Sequence, residues 1–321
     1  MAKASYKIIF MGTPQFAVPI LEHLTNNGYK PLLCITQPDK PQGRKRRLTA
    51  PVIKQKSIEL GIPVIQPDNI NDKETEELIK DIIPDLIVTA AYGGYIGRNL
   101  RKVPRFGAIN IHPSLLPAWR GASPVNASLW AGDQETGLTI FRLVAKMDAG
   151  PVLYQSTYTI KEDDNYTKLL EKLAIAGAEN LIELIHQFEN GTAKETIQDE
   201  NKATHCRKLN REDYLINWAD QAKEIYNQVR ALAEKPGAST TFRNKQLKII
   251  STRITDNTSN KATGSIIEVI KNSGILVTTG DKDILIEWLQ PAGKKIMSAF
   301  DFNLGARIEI GEIFGDPDGS E

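Results

Sequence analysis

The sequence predicts an α/β protein. A mostly parallel sheet with helices on both faces, Rossmann-like at its start, is followed by a smaller barrel of short strands. Three observations carry this. Strand-length apolar runs alternate with helical patterns from Tyr6 to Asn190, the signature of a mostly parallel sheet covered by helices. The first run, Tyr6 to Met11, ends at Gly12 and turns through Thr13-Pro14 towards a helix. Beyond Pro236-Gly237 the pattern changes to short strands at roughly even spacing, which points to a small barrel. The 321 residues suffice for one large domain and a smaller one. The expected division is 1–191, a linker at 192–210, and 211–321.

The elements follow in order. The first helix runs to Leu24, with Phe16, Val18, Ile20, Leu21 and Leu24 as its apolar set. Leu32 to Thr36 is a second strand, and Gln37 to Leu48, rich in proline and glycine, is a loop. Arg44-Lys45-Arg46-Arg47 give it four consecutive cations, read either as a solvated charge run or as a basic finger for phosphates. A helix over Ile53 to Leu60, a brief strand at Val64-Ile65 and an amphipathic helix over Asp72 to Asp81 come next. Asp85 to Ala90 is a buried strand, followed by the glycine-containing loop Ala91 to Gly97, where backbone can approach a ligand closely. Ala122 to Trp130 is helical, and Thr136 to Leu143 and Val152 to Ile160 are strands with Asp148 in the turn between them. Asn165 to Asn190 is a long helix closed by Gly191. Thr192 to Asn210 is polar and aperiodic. Ala222, Ile225, Tyr226, Val229 and Leu232 recur at helical spacing within Ala219 to Glu234. Strands are expected at Leu247–Ser251, Gly264–Ile270, Gly274–Thr279 and Asp283–Leu289.

Composition narrows the function classes. Net charge is +1, so no global field recruits a polyanion and any nucleic-acid contact rests on local basic patches. Two cysteines, Cys34 and Cys206, make no disulfide framework and suit a reducing, cytoplasmic setting. No apolar stretch reaches membrane-spanning length. With no Cys-x-x-Cys, no His-Glu-x-x-His and four scattered histidines, no metal is expected.

The chemistry gathers at Gly107 to Pro117. Ile109 and Ile111 alternate with Asn110 and His112, so in a strand the amide and the imidazole share one face. Pro113 cannot donate to a sheet ladder and ends the strand at His112. Both polar groups therefore stand at the carboxyl end of a strand, where open α/β sheets place ligands. The plainer reading makes Asn110 a turn former and His112 a satisfied strand-end histidine. Ser114-Leu115-Leu116-Pro117 follows at once, and Asp148 offers a carboxylate some thirty residues on.

Asn110-x-His112, the Ser-Leu-Leu-Pro run and Asp148 resemble the motif set of the 10-formyltetrahydrofolate-dependent formyltransferases. The likeness runs in family order from Ile8–Pro14 to Gln290–Lys295. It implies an OB-like carboxy-terminal barrel that binds tRNA over 211–321, and a catalytic domain over 1–191. It also implies 10-formyltetrahydrofolate as co-substrate and initiator methionyl-tRNA as acceptor; a monomer is expected. Ser114, Leu115, Leu116 and Pro117 would line the folate site, and the Ala91–Gly97 loop would help wall the pteridine pocket. Arg44, Lys45, Arg46 and Arg47 would enter the tRNA acceptor arm. Two departures stand out: Gly97 where the family usually has proline, and Ala233-Glu234-Lys235-Pro236-Gly237 where it has an Asn-Pro-Trp-Pro-Gly-like run.

The implied reaction is attack of an amine on a formyl carbon. Asn110 can donate its amide NH2 to the oxyanion. His112, if protonated, can donate as well and act as general acid or proton relay, and Asp148 can hold the imidazole in one orientation and favour its cationic form. Rival readings are the glycinamide ribonucleotide and amino-sugar formyltransferases, a non-catalytic nucleotide- or RNA-binding protein, and a folate-dependent hydrolase or dehydrogenase with a similar amino-terminal module; Ser114 as a hydrolase nucleophile lacks the Gly-x-Ser-x-Gly setting.

Overall fold

The computed structural model describes residues 6–42 and 46–315. They form two compact units that interleave along the chain. The first holds the described residues up to Pro124, then Glu135–Ile160 and Leu170–Cys206; the second holds Val125–Gln134, Lys161–Leu169 and those from Arg207 onward.

The chain opens with β1 (Ile8–Gly12), buried throughout, and α1 (Ala17–Asn26), which buries Ala17, Val18, Ile20, Leu21 and Leu24. Next is β2 (Leu33–Ile35). The predicted loop after it is instead an antiparallel hairpin of β3 (Lys40–Gln42) and β4 (Arg47–Thr49). Lys40, Pro41, Arg47 and Leu48 are all exposed, so no buried apolar alternation announced the strands. Asp39 ties its base, accepting from Lys54 Nζ at 3.0 Å and Gln66 Nε2 at 2.7 Å. Then come α2 (Val52–Glu59), β5 (Val64–Ile65) and α3 (Lys73–Ile82). Asp72 caps α3, its carboxylate accepting the Thr75 N–H at 2.7 Å. They lead to β6 (Leu86–Ala90), α4 (Arg98–Lys102), β7 (Ala108–His112) and β8 (Arg120–Gly121). After α5 (Pro124–Ala131), β9 (Glu135–Arg142) and β10 (Val152–Thr159) comes the long α6 (Tyr166–Asn190).

Seven strands form the sheet of the first unit in the order β10-β9-β7-β6-β1-β2-β5. β5, β2, β1, β6 and β7 are parallel, β9 runs antiparallel to β7, and β10 antiparallel to β9. The fold is therefore mixed but mostly parallel, as expected. Strand order reverses about β1, so β1 and β6 border the topological switch where such sheets bind ligands. Ile9, Met11, Leu33, Ile35, Ile79 and Ile87 pack one apolar core of this unit.

Residues after Gly191 join the first unit as far as Cys206. Val152 and Thr196 exchange backbone hydrogen bonds at 2.8 Å. β11 (His205–Cys206) pairs parallel with β8. A polar sequence without period conceals these contacts, because they are made by backbone and by single buried side chains.

The second unit contains α7 (Ala222–Leu232), begun by a reciprocal Gln221–Glu224 capping box. Its strands are β12 (Ala238–Phe242), β13 (Lys245–Ile254), β14 (Ile266–Ile270), β15 (Gly274–Thr278), β16 (Asp283–Pro291) and β17 (Met297–Ser298), followed by α8 (Ala299–Ala306). Trp218, Phe242 and Phe314 sit in its core with Ile249, Ile275 and Ile286. The antiparallel order is β12-β13-β16-β15-β14, and no β12–β14 pairing closes it among the described residues. Strand spacing predicted a small barrel; the pairing describes an antiparallel sheet that is not closed among the described residues. Each edge is instead met by another segment: Leu215 bridges Ser239 of β12, and Ile313 bridges Ser265 beside β14. Covering an edge removes its unpaired backbone as closure would.

Candidate active site

Asn110 and His112 share one face at the carboxyl end of β7, as their spacing requires. β6 registers Thr89 beside Asn110. The Thr89 hydroxyl lies 2.7 Å from Asn110 Oδ1 and 2.9 Å from Ile109 O. With its oxygen engaged there, the Asn110 carboxamide presents its NH2 as the remaining donor. The sequence reading did not single out Thr89, although a hydroxyl inside an otherwise apolar strand was a visible signal.

His112 is almost wholly buried, with Nε2 3.0 Å from Trp119 O. A carbonyl only accepts, so Nε2 carries a proton. Nδ1 lies 3.9 Å from Asp148 Oδ2, too far for a direct hydrogen bond but well inside Coulombic range. Burial lowers the imidazole pKa from its ordinary value, with Asp148 and the Trp119 carbonyl pulling the other way. Desolvation outweighs the carboxylate and disfavours the cationic ring, whose neutral form carries a lone pair on Nδ1.

Asp148 stands in the β9–β10 turn with φ +50°, a left-handed conformation unfavourable for a residue with a side chain. Its carboxylate accepts the Gly121 N–H at 2.8 Å. Gly121 has φ +123°, and a Cβ there would come within 2.0 Å of Cys206 O. Only glycine fits between Asp148 and β11.

The Ser114–Pro117 run is a tight turn bound to β9 and β10. Thr139 Oγ1 donates to Ser114 O at 2.7 Å and accepts the Leu116 N–H at 3.0 Å. Gln155 Nε2 lies 2.9 Å from both Leu116 O and Thr139 Oγ1. Ser114 is buried and donates to Ala118 O at 2.6 Å, so its hydroxyl serves as a turn staple and not as a nucleophile. Leu116 is also buried, whereas Leu115 and Pro117 are half-buried. The thiols are equally poor nucleophiles: burial pushes Cys34 up to about 11 and raises Cys206.

The loops after β1 and β6 meet where Thr13 Oγ1 donates to Tyr92 O at 2.8 Å. Gly97 donates its N–H to Asn71 Oδ1 at 2.6 Å, and Asn71 Nδ2 donates to Tyr95 O at 2.8 Å. A proline at 97 could not make the first bond, so this loop is anchored by Asn71 instead.

The sequence reading also missed a polar cluster behind Asp148. Arg120 is fully buried. It donates to Gln198 Oε1 from Nε at 3.1 Å and Nη2 at 2.8 Å, and to Glu200 from Nη1 and Nη2. Hydrogen bonds from Arg120 and Lys146 hold the Glu200 carboxyl down to about 2. Such pairing is what a buried guanidinium demands.

Of the basic run, Arg44 and Lys45 lie outside the described residues. Arg46 and Arg47 are exposed on the hairpin, with Leu48 beside them also exposed. Among the described residues no group of three or more His, Cys, Asp or Glu side chains is placed to hold a metal ion. No helix among them is long and apolar enough to cross a membrane.

Comparison with known proteins adds a second line. The family described as "Formyl transferase" matches residues 6–185, and "Formyl transferase, C-terminal domain" matches residues 208–307. The methionyl-tRNA formyltransferase of Bacillus subtilis is 41% identical over 310 residues, covering 96% of this chain and 98% of that protein. That of Geobacillus sp. is 42% identical over 97% of this chain and 98% of its own length. Among solved structures, an N-formyltransferase from Helicobacter canadensis with folinic acid and dTDP-3-aminofucose shares the fold at TM-score 0.66 and 18% identity, over 89% of this chain and 99% of that one. HypX from Aquifex aeolicus with tetrahydrofolic acid matches at TM-score 0.64 and 17% identity, over 96% of this chain and 49% of HypX.

Proposed function

The chain belongs to the formyl transferase family, and from that premise we propose that it moves the formyl group of 10-formyltetrahydrofolate to the free amino group of initiator methionyl-tRNA, giving formylmethionyl-tRNA for translation initiation. The amine nitrogen attacks the formyl carbon. The C–N bond forms as the carbonyl π pair moves to oxygen. The tetrahedral intermediate collapses with cleavage of the carbon–N10 bond, and N10 leaves with a proton.

Asn110 donates its NH2 to the oxyanion, where preorganised donors are worth most. Neutral His112, its Nε2–H committed to Trp119 O, takes the proton of the attacking nitrogen on Nδ1 and returns it to N10. Asp148 stabilises the imidazolium formed between these transfers, which 3.9 Å permits without a direct bond. The observation that carries this reading is the convergence of His112 and Asp148 at the end of the strand bearing Asn110.

The folate lies over the switch point, against the loops after β1 and β6 and the half-buried Leu115 and Pro117, with Ser114 and Leu116 bracing that turn. Arg44, Lys45, Arg46 and Arg47 reach acceptor-arm phosphates, and the exposure of Arg46 and Arg47 supports this. Residues 1–191 form the catalytic domain, 192–210 the connection, packed with the first unit as far as Cys206, and 211–321 an OB-like tRNA-binding domain; the antiparallel order of β12 to β16 supports the last. The enzyme acts as a cytoplasmic monomer.

The test is incubation with 10-formyltetrahydrofolate and charged initiator tRNA, with detection of formylmethionine. An amino-sugar nucleotide is the competing acceptor. Formylation of the tRNA with a KM that rises steeply with salt is expected. Turnover of the amino sugar alone would overturn the acceptor assignment.

A further inference from the structure

We propose that Gln198 is a positioning residue for formyl transfer, its carboxamide holding the left-handed turn at Asp148 in place against His112. The proposal rests on the catalytic reading of Asp148 given above. Four observations bring Gln198 to this role.

Its carboxamide is fully committed. Oε1 accepts Nε and Nη2 of Arg120, while Nε2 donates to Asp148 O at 2.8 Å and Gly150 O at 2.7 Å. A guanidinium only donates and a carbonyl only accepts, so these partners admit one orientation of the amide. Gln198 is also buried, where each of these bonds is costly to lose.

The residue it grips is the one that needs gripping. Asp148 holds φ +50°, a backbone state that persists only where its surroundings impose it. Gln198 fixes the main-chain carbonyl of Asp148, and the Gly121 N–H fixes its carboxylate. Fixing both ends sets where Oδ2 stands relative to Nδ1 of His112.

The support extends backwards. The Val152–Thr196 bridge registers the chain two residues before Gln198. Arg120, buried and paired with Glu200, anchors the far side of the amide. Arg120 and Gly121 are consecutive in β8, so one short strand holds Asp148 directly through Gly121 and indirectly through Arg120 and Gln198.

Two substitutions separate the functions of the carboxamide. Gln198→Met keeps the approximate shape and removes every hydrogen bond. Gln198→Glu keeps the acceptor for Arg120 but sets an oxygen against two carbonyls. Both are made in the full chain, alone and with Asp148→Asn. Single-turnover formyl transfer, KM for each substrate and thermal unfolding are measured. Each single substitution is expected to lower kcat roughly 10²-fold, the penalty of a displacement near 1 Å, with little change in either KM. In the Asp148→Asn background, Gln198→Met should add no further loss, because the two act through one group. Both roles lower the unfolding temperature, because buried hydrogen bonds are lost; a purely structural role would add its kcat loss equally in both backgrounds, overturning the proposal. If Asp148→Asn loses kcat while both folded Gln198 variants keep it, Gln198 alone is refuted. If Asp148→Asn itself keeps kcat, the reading of Asp148 falls and the role of Gln198 falls with it.

Discussion

Gly121→Ala is a small substitution with a large calculable effect. The added Cβ would stand 2.0 Å from Cys206 O, and real Cβ contacts essentially never fall under 3.0 Å. The obstacle is backbone within the β8–β11 pairing, so no side-chain rotation relieves it and one segment must move by about 1 Å. The φ of +123° adds about 1–3 kcal/mol of backbone strain. Movement of β8 lengthens the 2.8 Å bond from Gly121 N–H to Asp148 Oδ2 beyond hydrogen-bond range. Asp148 then loses its hold opposite His112, and kcat should fall about 10²-fold. The assay is single-turnover formylation of methionyl-tRNA, with circular dichroism to verify folding. Gly28→Ala is the control: it has φ +86° and nothing within 4 Å of its Cβ, so it carries strain without a clash and should keep kcat. Folded Gly121→Ala protein with normal kcat would refute the argument that this glycine fixes Asp148.

Asn110→Ala should cost about 2.7–4 kcal/mol of transition-state stabilisation, about 10²–10³-fold in kcat, and near-normal turnover of the folded variant would remove Asn110 from the mechanism. Burial lowers the His112 pKa from 6.5 while Asp148 raises it; the base must be neutral, so the acid limb of the kcat–pH profile should lie below 6.5. Asp148→Asn should lower kcat with modest change in KM and move that limb lower still, whereas a limb above 6.5 contradicts the neutral base. Glu200 is depressed from 4.5 to about 2 in the folded protein, so its pairing contributes stability above 4.5 that is lost as pH falls towards 2. Glu200→Gln should flatten the decline of Tm across that window, and an unchanged slope would count against the pairing.

The sequence by itself determined the α/β order, the buried strands and the face shared by Asn110 and His112. Periodicity carries that information, because a strand's side chains alternate whatever surrounds them. Pro113 likewise marked the end of β7, since a residue without an N–H cannot continue the ladder. Tertiary structure decided the rest. The β3–β4 hairpin and β11 are held by backbone pairing in polar segments, which leaves no period to read. The protonation of His112 depends on how far burial outweighs a carboxylate 3.9 Å away, a balance of distances that only the folded chain sets. Gln198 lies in a stretch whose sequence resembles a linker, yet it reaches Asp148 across fifty positions of chain. Its partners are main-chain carbonyls and a buried guanidinium, and no residue pattern announces which carbonyl a folded chain will bring within reach.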